Sequence, residues 1–242
     1  MRQETGEVRE SDRFPYWSYY DLALFIALAI PCLIVGAAVI QILAWALPFY
    51  PQSKAAKAIP AQFLAYGLWF GCLYALLKMK YGQPFWLSMA WVGRWQEIAW
   101  GLLSGPLVAV TVAVVGILLK TPDLEMPMKE FLNSRASIIM MGFFAVTLGP
   151  FCEELAFRGF LLPLLARTFG NWGGIVLSAL PFTLLHGPQY SWSWRHLLLI
   201  LFAGISFGWM RYRTGSTAVA AAMHASYNLT FFASFLTQER MY

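Results

Sequence analysis

Seven apolar segments separated by short polar stretches make up most of this 242-residue chain. A helix needs about 20 consecutive apolar residues to cross the hydrocarbon core of a bilayer, and several of the segments reach that length. We therefore predict an all-α fold, a polytopic transmembrane helical bundle with about seven spans. The predicted spans are residues 22–47, 61–77, 98–119, 136–166, 172–186, 196–210 and 217–236.

Composition supports the same fold class. Hydrophobic residues form 59% and charged residues 12% of the chain, whereas soluble domains contain about 25% charged residues. The net charge of +5 is spread over the loops, which is typical of topology signals and not of a nucleic-acid surface. The three cysteines fall within predicted spans, so we expect no disulfide framework. The expected location is a bacterial inner membrane, crossed several times, with the lipid bilayer as a partner and no nucleic acid.

The predicted organisation is a polar N-terminal segment, residues 1–16, followed by one transmembrane bundle, residues 17–242. Between the second and third spans, residues 78–97 contain three tryptophans among polar residues, which predicts an interfacial helix at the headgroups. An ordinary loop is the alternative. An eighth span would follow if this segment, or the aromatic stretch 189–194, enters the bilayer.

Glu153 and Glu154 lie side by side in the fourth span, whose only other charged residue is Arg158. An ionised carboxylate in the bilayer core costs at least about 2.5 kcal/mol, so such a pair indicates a functional site. Glu154 and Arg158 are four residues apart and share a helix face, which predicts a supporting ion pair. Glu153 points about 100° away and is the candidate base. A thiol nucleophile at Cys152 is a weaker alternative, because nothing adjacent activates it.

Three more polar residues interrupt the later spans. His186 ends the fifth span, and His224 and Asn228 share one helix face of the seventh. Glu153 and His186 are each about 16 residues from the turn near 169–171, hence about 24 Å deep on the same side, so an antiparallel hairpin would place them level. The alternatives are an interfacial role for His186, and helix-to-helix hydrogen bonding by His224 and Asn228.

Three motifs together resemble a known family. Residues 153–158 match EExxxR, residues 182–186 match FxxxH, and residues 224–228 match HxxxN. Their order and spacing are similar to those of the CPBP family of intramembrane proteases, which includes type II CAAX prenyl endopeptidases and relatives in bacteriocin processing or self-immunity. The resemblance covers residues 136–236.

The resemblance implies an intramembrane endopeptidase, a hydrolase that cuts a membrane-associated substrate of CAAX type or otherwise lipidated. Glu153 and His186 would activate a water, and His224 and Asn228 would stabilise the oxyanion. Glu154 and Arg158 would support them. The family is also described as metalloproteases, so Glu153, His186 and His224 would be the ligands of a zinc ion if one binds. A metal-free, glutamate-activated water is the alternative.

Two further hypotheses come from other classes of protein: a non-catalytic membrane scaffold or regulator, and an ion-coupled transporter that uses Glu153 and Glu154 as a relay.

Overall fold

The computed structural model describes residues 14–122 and 135–239, and every regular element within them is a helix. The predicted all-α fold is therefore confirmed for this part of the chain. Residues 1–13 of the predicted polar segment lie outside it. The elements in chain order are α1 Tyr19–Ala46, α2 Lys54–Tyr81, α3 Phe85–Ser88, α4 Trp95–Leu118, α5 Arg135–Phe143, α6 Gly149–Glu154, α7 Leu162–Leu185, α8 Trp194–Thr214 and α9 Thr217–Glu239. Two π-helical segments, Phe144–Leu148 and Leu155–Leu161, join α5 to α6 and α6 to α7, and a 3₁₀ turn, Pro188–Tyr190, precedes α8.

Four helical stretches of the described residues are long and apolar enough to cross a membrane: α1, α2, α4 and the run from Arg135 to Leu185. Each of the seven predicted segments is helical, although the fourth runs from α5 into α7 and the fifth lies in the second half of α7. The number of spans stays a prediction. The long run is not one straight helix, because Gly170 has a φ of 74° and a ψ of 169° and divides α7. A Cβ on Gly174 would lie 2.8 Å from the Cβ of Ala166, so the two halves of α7 approach closely across this break. The turn predicted at 169–171 is present.

The stretch Phe144–Leu164 lies between two apolar cores. The N-terminal core is built mostly from the first half of the chain and comprises Trp17, Phe25, Leu73, Leu77, Phe85, Met89, Leu155, Phe160 and Leu164. The C-terminal core comprises Phe182, Ala203, Phe207, Met210, Val219 and Met223, with Phe157 packed against it. The segment that carries the paired glutamates is thus held from both sides.

Helix α4 packs directly on α9 through two glycines spaced one turn apart. A Cβ on Gly101 would lie 2.6 Å from the carbonyl oxygen of Val219, and one on Gly105 would lie 2.7 Å from the backbone nitrogen of Tyr227. Small residues at such an interface let two backbones approach each other. The position of α9, which carries His224 and Asn228, therefore depends on α4.

The predicted interfacial helix is reduced to the four residues of α3, because α2 continues to Tyr81 and α4 begins at Trp95. Its neighbour Met89 is fully buried in the N-terminal core, so the segment packs against the bundle. Thr217 donates from its backbone nitrogen to Ala90 O at 2.9 Å and from Oγ1 to Met89 O at 2.7 Å. These bonds join the loop after α3 to the first residue of α9.

Candidate active site

A proline one turn before the glutamates leaves a backbone carbonyl without its helical donor, and Asn228 bonds that carbonyl. The Gly149 N–H donates to Phe144 O, five residues back, which is π-helical spacing. In this register the donor for Ala145 O would be residue 150, and Pro150 has no N–H. Nδ2 of Asn228 donates to Ala145 O at 2.8 Å and supplies the missing bond. Asn228 thereby ties α9 to the turn that precedes α6.

The Glu154 and Arg158 side chains are both fully buried. Nη1 of Arg158 donates to Oε1 of Glu154 at 2.8 Å, and Nη2 donates to the carbonyl oxygen of Gly204 in α8 at 2.6 Å. The guanidinium carbon lies 4.6 Å from the ring centroid of Phe182, in cation–π range. The expected contact between Glu154 and Arg158 is present, and its supporting role in catalysis stays a prediction.

His224 links the two glutamates. Its Nδ1 lies 2.9 Å from Oε1 of Glu154, and its ring stacks on Phe207 with centroids 4.4 Å apart. Because the paired carboxylate accepts the hydrogen bond, Nδ1 is the nitrogen that carries the proton in the neutral ring. Nε2 then faces Oε2 of Glu153 at 3.8 Å.

Glu153 differs from Glu154 in exposure and in partners. Its side chain is 27% exposed, whereas that of Glu154 is 0% exposed. Within 4 Å, the contact with His224 is the one ion-pair approach that Glu153 makes in the described part of the chain. Its carboxylate is therefore neither neutralised by Arg158 nor sealed in a core.

His186 lies beside this cluster without joining it. Its Nδ1 donates to Phe182 O at 2.8 Å, since a carbonyl oxygen only accepts, and this leaves a lone pair on Nε2. The Phe182 ring contacts both imidazoles, with centroids 4.8 Å from His186 and 5.8 Å from His224. Among the described residues no ion pair connects His186 to Glu153. The structure thus brings Glu153 to His224, and the joint action of Glu153 and His186 on one water, which the resemblance implied, stays a prediction.

The residues named as metal ligands do not assemble into a site. Across residues 14–122 and 135–239 there is no group of three or more His, Cys, Asp or Glu side chains arranged to hold a metal ion. Glu153 and His224 are close, whereas Nδ1 of His186 is bonded to the carbonyl oxygen of Phe182. This donor set does not fit zinc, so we derive no step through a metal.

Three groups that contact the candidate site residues were not predicted from the sequence: the carbonyls of Ala145 and Gly204, and the ring of Phe207. A Cβ on Gly204 would lie 3.4 Å from Nη2 of Arg158, so the small residue lets the α8 backbone reach the guanidinium. In the sequence, two small residues in an apolar span, Ala203 and Gly204, indicated that another group approaches the backbone there. For Ala145 the signal was Pro150, since a proline removes the backbone donor of a carbonyl one turn earlier.

Comparison with known proteins covers the second half of the chain. Residues 135–230 match the family model described as Rce1-like, type II CAAX prenyl endopeptidase Rce1-like. The matched region runs from the start of α5 into α9 and contains all three motifs. No curated protein and no solved structure matched. The helices that can cross a membrane and this match together identify an integral membrane protein whose residues 135–230 are similar to the Rce1-like type II CAAX prenyl endopeptidases, the relatives that the three motifs indicated.

Proposed function

We propose that this protein is an intramembrane endopeptidase that hydrolyses a peptide bond of a membrane-associated substrate, using a water activated by Glu153. The family suggests substrates of CAAX type or otherwise lipidated. One observation carries the proposal: of two adjacent glutamates, Glu154 is buried and bonded to Arg158 and His224, while Glu153 is partly exposed and faces Nε2 of His224. A general base needs a carboxylate that can reach its substrate's proton.

The gap between Glu153 and His224 suits a water molecule. At 3.8 Å, Oε2 of Glu153 and Nε2 of His224 are too far apart for a direct hydrogen bond, and one water reaches both. Both atoms accept hydrogens from that water, which leaves an oxygen lone pair for attack on a peptide carbonyl carbon. Glu153 takes the proton as the C–O bond forms, and later gives it to the leaving amine as the C–N bond breaks.

The tetrahedral intermediate carries an oxyanion that needs donors. We assign this role to His224 and Asn228. Glu154 orients the His224 ring through Nδ1. As the C–O bond forms, Nε2 takes the water's second hydrogen, Glu154 balances the charge that the ring gains, and Nε2 donates this hydrogen to the oxyanion. Asn228 uses one amide hydrogen for Ala145 O and has a second one to donate. Loss of a single oxyanion donor typically costs about 10²- to 10³-fold in rate.

His186 is assigned to the water side of the site, as the resemblance implies. The bond from Nδ1 to Phe182 O fixes the ring and leaves Nε2 as an acceptor. In this role, Nε2 of His186 accepts a hydrogen bond from the attacking water when a substrate is bound beside Phe182. His186→Ala is expected to lower kcat without breaking the ion pair between Glu154 and Arg158.

The test compares two Glu→Gln variants in liposomes that contain membrane-associated peptides. Glu153→Gln is expected to lower the cleavage rate by about 10²-fold or more, as for loss of a general base. Glu97→Gln is the matched control, because the Glu97 side chain is 28% exposed against 27% for Glu153, and Glu97 lies outside the motifs. Trapping of uncleaved clients by Glu153→Gln would identify the substrates. Cleavage at the wild-type rate by Glu153→Gln would reject the proposal, and pH-gradient-dependent uptake without cleavage would favour a transporter.

A further inference from the structure

Residues outside the family-matched region contact the segment that carries the glutamates. Trp17, which precedes α1, is fully buried. Its Nε1 donates to the carbonyl oxygen of Phe160 at 3.0 Å, and its ring stacks on that of Phe160 with centroids 5.3 Å apart. The contact spans 143 residues of sequence, so local chain geometry does not explain it.

The carbonyl that Trp17 bonds lies where the helix changes its hydrogen-bonding register. Phe160 belongs to the π-helical segment Leu155–Leu161, which also contains Arg158. At its end the Leu162 N–H donates to Phe157 O, five residues back, and the next residue, Pro163, has no N–H. Such π-helical turns are rare, short and frequent at functional sites. Trp17 thus adds, from outside the helix, a bond to a carbonyl of this same turn.

The chain around Trp17 is fixed on both flanks. Before it, Pro15 O accepts a hydrogen bond from Nη1 of Arg167 at 2.7 Å. After it, the hydroxyls of Tyr19 and Thr168 are 2.7 Å apart. Arg167 and Thr168 end the first half of α7, directly after the π-helical segment. The Trp17 region is thus attached to the same helical run at three points.

A buried acid anchors this region to α2. Asp21 is fully buried, accepts from Nζ of Lys80 and from the Tyr81 hydroxyl, both at 2.7 Å, and also bonds the backbone nitrogen of Ser18 at 2.8 Å. A buried carboxylate needs such partners to offset its desolvation. The brace formed by residues 15–21 is therefore attached to α2 as well as to α7.

We propose that Trp17 is a positioning residue for the endopeptidase site, acting through the carbonyl of Phe160. It holds the π-helical turn so that Arg158 reaches both Glu154 and Gly204 O, and Glu154 in turn orients His224. This inference rests on the proposed function. It gives the first half of the chain a part in catalysis that the matched region alone does not contain.

The chain offers a matched control for Trp17→Phe, which keeps an aromatic ring and removes the N–H. Trp69 also donates from Nε1 to a backbone carbonyl, Phe25 O at 2.6 Å, and stacks on that residue with centroids 4.4 Å apart. It packs against the same N-terminal core but bonds α1, not the glutamate-bearing segment. Trp69→Phe therefore removes an equivalent bond away from the site.

Trp17→Phe is expected to lower kcat about 10-fold with little change in KM, because small misplacements of catalytic groups have effects of this order. Trp69→Phe is expected to leave kcat within about twofold of wild type, a change too small to count as misplacement of the site. Amide hydrogen exchange across 155–164 should be faster in Trp17→Phe alone. Equal kcat values for the two variants would overturn the inference. Absence of Glu153-dependent cleavage in wild type would instead reject the proposed function, and equal exchange in the two variants would then reject the brace as well.

Discussion

Nδ1 of His224 donates to the buried Oε1 of Glu154 across a distance of 2.9 Å. The same oxygen accepts from Arg158, so two donors from different helices converge on one carboxylate atom. Two adjacent acids therefore have different surroundings. Glu154 is fully buried with two donors, whereas Glu153 is partly exposed, and the proposed roles rest on this difference.

The first prediction concerns the stability of the two glutamate variants. Glu154→Gln leaves Arg158 charged and fully buried without its counterion, and removing one partner of a buried pair costs about 3–5 kcal/mol. Glu153→Gln removes no short ion pair and should change the free energy of unfolding by less than about 1 kcal/mol. Unfolding in mixed detergent micelles measures both. Equal destabilisation would show that Glu154 does not have the structural role described.

Local contacts of this site followed from sequence, and contacts between helices did not. The four-residue spacing of Glu154 and Arg158 predicted their ion pair, and the turn expected at 169–171 is present at Gly170. That Glu153 and His186 lie at the same depth stays a prediction. The sequence did not predict that His224 faces Glu153, because two π-helical segments change the direction of side chains relative to a regular helix. Depth arithmetic on straight helices cannot show which of two histidines faces the acid.

The contacts of the first half of the chain are even less apparent in its sequence. Trp17 bonds a carbonyl 143 residues away, and nothing in its local sequence distinguishes it from the other tryptophans. Asp21 stands at the start of α1, where an acid can be a helix-capping residue or a buried anchor, and here it makes both kinds of contact. The Lys80 partner becomes visible only when α1 packs on α2.

The second prediction is that Asn228 and Pro150 are coupled in stability. Asn228→Ala leaves Ala145 O without a donor and should cost about 1–3 kcal/mol. Pro150→Ala restores a backbone N–H near that carbonyl, so the same Asn228→Ala change should cost about 1 kcal/mol less in this background. A double-mutant cycle of unfolding free energies provides the measurement. Additive effects would mean that the amide does not replace the proline's missing donor.

The third prediction concerns metal removal. Because Glu153, His186 and His224 form no three-ligand group in the described residues, we expect cleavage to survive exhaustive treatment with 1,10-phenanthroline. Metal content of the purified protein, measured beside the cleavage rate, checks that chelation was complete. Loss of cleavage that returns on adding zinc would require the three side chains to come together on substrate binding. The water bound by Glu153 would then need to be a metal ligand.

The fourth prediction tests whether α4 sets the position of α9. A Cβ on Gly105 would meet the Ser226 hydroxyl and the Met223 carbonyl as well as the Tyr227 nitrogen at 2.7 Å, so backbone atoms of α9 must move. Gly105→Ala is therefore expected to cost about 1–3 kcal/mol, as for overpacking, and to lower kcat about 10-fold by displacing His224. The rate and the unfolding free energy are measured on the same preparation.

Gly71→Ala is the control for this change. Gly71 lies in α2, and a Cβ there would have nothing within 4 Å. Because alanine is the better helix former by about 1 kcal/mol, this variant should be as stable as wild type or slightly more stable, with unchanged kcat. If Gly105→Ala behaves like Gly71→Ala, the close contact of α4 with α9 does not constrain His224. A lower kcat in Gly105→Ala alone would mean that a helix outside the family-matched region helps to place the imidazole that faces Glu153.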